Sequence, residues 1–143
     1  MPYRDTTTGL KFENKIKIKY NNCVDLSQYK LWSYLKKKGT PIRTILSKAL
    51  RPDEAYFNEN TGDFTIFEKK YQETSGSADE KPQTCGFKIQ QFKKIGNAIG
   101  AKSVRYIYVF NDWFHRPEYK DMLDYIKTID GCDYIFEEDI DAA

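Results

Sequence analysis

Hydrophobic and polar positions change period several times along this chain, and each change marks an element. From Lys11 to Tyr20 lysine and isoleucine alternate, as in Lys15-Ile16-Lys17-Ile18-Lys19, after a polar stretch over residues 1–10. A period of two puts alternate side chains on one face, so this segment predicts a strand with one wet face at a sheet edge. Between Leu26 and Lys38 the period lengthens: Leu26, Tyr29, Leu31, Trp32 and Leu35 recur at helical spacing until Gly39 and Pro41 stop the run. Ile42, Ile45, Leu46 and Leu50 then form the stripe of a second expected helix, Ile42 to Leu50, leading into Pro52-Asp53.

Beyond Asp53 the pattern returns to a short period. The segment from Asp53 to Asn58 and the run Phe64-Thr65-Ile66-Phe67 flank turn-forming residues, Glu59-Asn60-Thr61-Gly62-Asp63, which is a hairpin signal. A helix is expected from Ala78 or Asp79 to about Ile99, with Phe87, Phe92, Ile95 and Ile99 apolar, Pro82 in its first turn and Gly100 as its stop. Val104 to Phe110 is almost continuously apolar, as a central strand buried on both faces would be. Asn111-Asp112-Trp113-Phe114 reads as an exit loop, Pro117 to Ile129 as a helix with Met122, Leu123, Tyr125, Ile126 and Ile129 inward, and Cys132 to Phe136 as a last strand. The crossover helix requires a mixed sheet, antiparallel at the hairpin and parallel further in, an α/β (α+β) fold.

Length and composition narrow the classes. A chain of 143 residues fits one domain, and 40% apolar with 15% aromatic residues suits a packed core rather than a disordered segment. Formal net charge is only +2, so any attraction to phosphate must come from local clusters: Lys36-Lys37-Lys38 with Arg43, or Lys88 with Lys93-Lys94. Acids gather at the other end, in Glu137-Glu138-Asp139 and Asp141. Cys23, Cys85 and Cys132 are scattered and His115 is the sole histidine, which argues against structural zinc, a disulfide framework and histidine-based catalysis. His115 reads as a surface histidine beside Arg116-Pro117. There is no phosphate-binding glycine loop. Without a signal peptide or a long apolar run, the expected location is cytoplasmic, with no membrane partner.

The residues that suggest chemistry are Arg51-Pro52-Asp53 and Phe67-Glu68-Lys69-Lys70-Tyr71-Gln72. In a strand, Glu68, Lys70 and Gln72 share a face and Lys69 points the other way. Pairing of the two hairpin strands brings Asp53 toward that row. Mg²⁺ takes oxygen ligands and retains waters, so Asp53 and Glu68 plus a substrate phosphate suffice to hold it, and Mn²⁺ is a possible substitute. A lysine beside them can orient the attacking water or offset charge building on phosphorus, and Lys70 fits.

At these positions the chain resembles the PD-(D/E)xK nuclease superfamily, and small type II restriction endonucleases within it. Pro52 and Asp53 match the first half of the motif, and Glu68, Lys69 and Lys70 the second. The likeness extends to Gly76-Ser77-Ala78-Asp79-Glu80-Lys81 and covers roughly residues 41–137, the core of a single domain spanning 1–143. It implies a restriction-endonuclease-like core, a mixed β-sheet flanked by helices. It also implies catalysis by Asp53, Glu68 and Lys70, and a metal held by Asp53, Glu68 and the Lys69 carbonyl. Gln72 occupies the polar position two residues after the lysine. The implied substrate is double-stranded DNA. One site cuts one strand, so cutting both calls for a homodimer. Ser75, Ser77, Lys81 and Gln83, close to the site in the chain, are candidate DNA contacts, with Asn111 and Asp112 a second possibility. The alternatives are a repair-type nickase or junction resolvase of the same fold, and a nucleic-acid-binding module without catalysis.

Overall fold

The computed structural model describes residues 6–72 and 82–142. Five helices, α1 (Thr6–Lys19), α2 (Lys30–Lys37), α3 (Ile42–Ile45), α4 (Cys85–Ile99) and α5 (Lys120–Thr128), accompany five strands among these residues. The strands are β1 (Val24–Asp25), β2 (Glu54–Asn58), β3 (Asp63–Lys70), β4 (Ser103–Phe110) and β5 (Cys132–Phe136). They form one mixed sheet in the order β1-β2-β3-β4-β5. The β1–β2 and β2–β3 pairs are antiparallel, whereas β3–β4 and β4–β5 are parallel. Parallel neighbours need a crossover, and α4 and α5 stand in the two connections. No helix among the described residues is long and apolar enough to cross a membrane.

The hairpin is closed by local chemistry. Asn58 Oδ1 accepts the N–H groups of Asn60 at 2.9 Å and Thr61 at 3.1 Å. Gly62 takes φ +83°, a left-handed conformation that costs glycine nothing sterically. The resulting register sets Glu54 opposite Phe67 and Asn58 opposite Asp63.

Alternation along β3 and β4 splits the interior in two. Phe64 and Ile66 with Tyr106, Tyr108 and Phe110 face the larger core, against α2, α3, α4 and α5. Phe67 with Ile107 and Val109 faces the smaller one, against Phe12 and Ile16 of α1 and Ile140 near the C-terminus. Helix α4 lies so close to β4 that a Cβ at Gly96 would sit 2.7 Å from Val104 Cγ2. Overpacking there would cost on the order of 1–3 kcal/mol.

Several expectations are corrected. Lys11–Tyr20 is not an edge strand: α1 takes the segment. Phe12 and Ile16, four apart, are 2% and 0% exposed, whereas Ile18 is 73% exposed, so the helical spacing governs burial. The edge on the hairpin side is instead β1, two residues long, which leaves little backbone open to mispairing there. The helix expected over Leu26–Lys38 begins only at Lys30, because Leu26 donates its N–H to the Ala55 carbonyl at 2.8 Å and continues the β1–β2 pairing. The helix expected over Ile42–Leu50 ends at Ile45, with Leu46 extended at φ −121°, ψ 143°. Trp32 Nε1 donates to the Leu50 carbonyl at 2.7 Å, anchoring the non-helical remainder. The expected helix start at Ala78 or Asp79 lies outside the described residues. What is described is a 3₁₀ turn, Pro82–Thr84, running into α4. Pro117–Tyr119 is likewise a 3₁₀ turn leading into α5, and Asn111–Phe114 is less a loop than a 3₁₀ turn, Asp112–His115. The chain past β5 folds back as a turn-like segment, Glu137–Ala142, whose Ile140 is 2% exposed in the smaller core.

Candidate active site at the mouth of the hairpin

Asp53 precedes β2, one step past the Glu54–Phe67 pair, so the antiparallel register sets it beside Glu68. Its Oδ2 accepts the backbone N–H of Lys69 at 2.8 Å. Its backbone is held as well: Gln28 donates its N–H to the Pro52 carbonyl at 2.9 Å and its side-chain amide to the Asp53 carbonyl at 3.2 Å. Glu68 and Lys70 share the opposite face from Lys69, and Lys70 Nζ donates to Glu68 Oε2 at 3.0 Å.

Burial pushes the Glu68 carboxyl above the usual carboxylate range, and repulsion from Asp53 adds to it, opposed by Lys70 and by Lys88 from α4. Two carboxylates therefore compete for limited positive charge. Beneath them, Glu68 is paired in register with Tyr108. Burial first and the nearby Glu68 carboxylate second push the Tyr106 phenol up, and burial does the same for Tyr108. Both phenols stay protonated and form an aromatic floor in which their rings meet edge to face at 5.1 Å.

The Lys69 side chain reaches the other side of the sheet. There it pairs with Glu13 of α1 and, at 3.5 Å, with Glu54. Glu54 is 4% exposed, and its Oε1 accepts the Tyr56 hydroxyl at 2.8 Å. Burial raises the Glu54 carboxyl, while Tyr56 and Lys69 pull it back. Glu13, Asp25, Ser27, Tyr29, Asp53 and Glu54 are among the residues around a cleft of about 440 Å³.

Of the DNA-contact candidates, Ser75, Ser77 and Lys81 lie outside the described residues. Asn111 is engaged at both ends of its amide: Oδ1 accepts the Gln72 N–H at 3.1 Å and Nδ2 donates to the Gln72 carbonyl at 2.8 Å. This ties the ends of β3 and β4 together. Gln72 itself borders a second cleft with Asp112, Trp113, His115 and Arg116. Gln83 instead borders a pocket with Asp121, Met122 and Tyr125 of α5. Of the basic clusters, Arg43 is exposed, and Lys88 is the member whose charge acts on Glu68.

Sequence reading missed Glu13, Gln28 and Tyr29, which lie far from Asp53 in the chain, and Glu54, its neighbour, which points to the other face of the strand. It also missed a grouping at His115. That imidazole stacks on Phe136 at 3.7 Å between centroids, and its Nε2 lies 2.9 Å from Glu138 and 3.8 Å from Asp112. Donor atoms of the three lie within 4.8 Å of one another and could hold a cation, although all three residues are exposed. Comparison with known proteins finds no matching family model, no matching curated protein and no matching solved structure.

Proposed function

We propose that the protein is a Mg²⁺-dependent endonuclease hydrolysing phosphodiester bonds in double-stranded DNA, a type II restriction enzyme with a restriction-endonuclease-like core, working as a homodimer. The observation that carries this reading is the meeting of Asp53 and Glu68 at the mouth of the β2–β3 hairpin, with Lys70 Nζ 3.0 Å from Glu68.

The donor set fits a hard divalent cation. Asp53 and Glu68 would supply carboxylate oxygens, and a bound cation would offset the repulsion between them that helps raise the Glu68 carboxyl. The Lys69 carbonyl would complete the protein's share. When bound, Mg²⁺ supplies Lewis acidity toward a phosphoryl oxygen and favours the ionised form of water. The protein's own residues do the positioning. The Lys69 N–H fixes the Asp53 carboxylate, and pairing with Tyr108 in β4 fixes the strand that bears Glu68. Lys70, 3.0 Å from Glu68, would hold the attacking water or meet negative charge developing on phosphorus.

Digestion of supercoiled plasmid and of a methyl-free genome in Mg²⁺, followed by sequencing of the ends, tests the reading. Glu68→Ala or Lys70→Ala should lower cutting by at least about a hundredfold while circular dichroism shows the fold retained. Wild-type rates in either variant would sink the assignment. Nicked circles in place of defined fragments would point to a nickase, and absence of Mg²⁺ or Mn²⁺ binding that Asp53→Ala removes would point to a binding module.

A further inference from the structure

We propose that the cleft on the α1 side of Asp53 is a binding site for an amino-bearing nucleobase, one step along the strand from the phosphate that Asp53 and Glu68 would address. The identity of that strand rests on the nuclease reading; the chemistry of the cleft does not.

The cleft holds about 440 Å³ and has Asp53 in its wall, so it borders one of the two candidate metal ligands. Four of its bordering residues are carboxylates, Glu13, Asp25, Asp53 and Glu54, against three lysines. Two of those lysines are already engaged: Lys30 Nζ lies 2.8 Å from Asp25 Oδ2, and Lys69 pairs with Glu13 and Glu54. A phosphate entering here meets more negative charge than positive. A neutral heterocycle meets no such repulsion, and its exocyclic amino group donates what carboxylate oxygens accept. Glu13 and Asp25 keep 35% and 29% of their side chains exposed, within reach of such a donor.

Tyr29 supplies the stacking surface. It is 56% exposed, yet its ring is braced by the edge of Trp32 at 4.9 Å between centroids and by the Arg51 guanidinium at 4.4 Å. An exposed aromatic held in one orientation binds bases through their π-faces, with little entropy left to lose. Gln28, just before it, has φ +53° and is the only non-glycine residue with positive φ among the described residues. Such backbone carries a conformational cost and concentrates at ligand sites. Here it places the Gln28 amide on the Asp53 carbonyl, linking the stacking platform to the candidate metal ligand.

Nuclear magnetic resonance titration of the full chain with adenosine, cytidine, uridine and sodium phosphate tests the site. Adenosine and cytidine should shift the amide signals of residues 27–30 saturably. Uridine, which carries a carbonyl where cytosine carries its amino group, should bind several-fold more weakly, and phosphate should leave these signals in place. Tyr29→Ala, a substitution at an exposed side chain, should weaken adenosine binding about tenfold. The proposal is overturned if neither amino nucleoside shifts these signals at its solubility limit, if uridine matches cytidine, or if phosphate moves the same signals. A parallel Mg²⁺ titration keeps the two readings apart. Nucleoside binding without metal binding removes the nuclease reading and leaves the base site. Metal binding and plasmid cutting without nucleoside binding removes the base site alone.

Discussion

The two faces of β3 carry the same three charges, two carboxylates and a lysine, in different settings. On one face Lys70 accompanies Glu68 and Asp53; on the other Lys69 accompanies Glu54 and Glu13. The second set is the more buried at its centre. Glu54 is 4% exposed, takes a hydroxyl hydrogen bond from Tyr56, and is covered by a helix that brings its own acid to the same lysine. The first set has Lys70 as its close cation, with the carboxyl of Glu68 raised by burial and by Asp53. Equal composition therefore yields a structural ion cluster in which one lysine bridges acids from two elements, and a second one where a cation from solution would offset the repulsion between Asp53 and Glu68.

Three substitutions press on this contrast. The largest expected effect is on the more buried side. Lys69→Met leaves Glu54 and Glu13 facing each other without a cation, so chemical denaturation should show a loss of about 3 kcal/mol. Lys70→Met should cost about 1 kcal/mol or less, its effect falling on cutting instead. Equal losses would erase the distinction between the faces.

A smaller effect concerns pH. A carboxyl whose folded pKa lies above its unfolded value holds its proton more tightly in the folded state. Its contribution makes the fold less stable as pH rises from the unfolded value through the folded one, and is constant beyond. Glu68 and Glu54 are both raised, so metal-free protein should lose stability over that interval just above the ordinary carboxylate range. Glu68→Gln should flatten the slope and stabilise the metal-free fold at neutral pH by about 1 kcal/mol, as substitutions at strained sites often do. Added Mg²⁺ should then stabilise the wild type more than the variant. A variant with an unchanged slope would show that Glu68 carries no such strain.

The smallest effect separates the two readings of the first element. Ile18→Lys should change stability by no more than about 0.5 kcal/mol, because the residue is 73% exposed on α1. In a half-buried strand Ile16 and Ile18 would share a face, and both would be sensitive.

What could be read from the residues follows the range over which the signals act. The hairpin, β4 and β5 emerged with nearly their observed limits, since turn residues and apolar runs are local. So did the shared face of Glu68 and Lys70, which strand geometry requires. The first element was misread because five residues alternate strictly while the spacing of Phe12 and Ile16 that decides burial spans a full helical turn. The second expected helix failed for a tertiary reason, the Trp32 bond to the Leu50 carbonyl. Gln28 and Glu13 were invisible as parts of a site because they reach Asp53 and Lys69 from other elements, at long separations in the chain, and Tyr29 because only the fold brings it to the same cleft.

The paired hydrogen bonds between Asn111 and Gln72 have a mechanical consequence. They sit where the chain leaves β3 and where it leaves β4, two residues beyond Lys70 and one beyond Phe110. A pull on the connection after Gln72 is carried sideways into β4 instead of peeling β3 open from its end. The strand bearing Glu68 and Lys70 is thereby insulated from events in the segment that follows it, as a seam is protected by a stitch at its last turn.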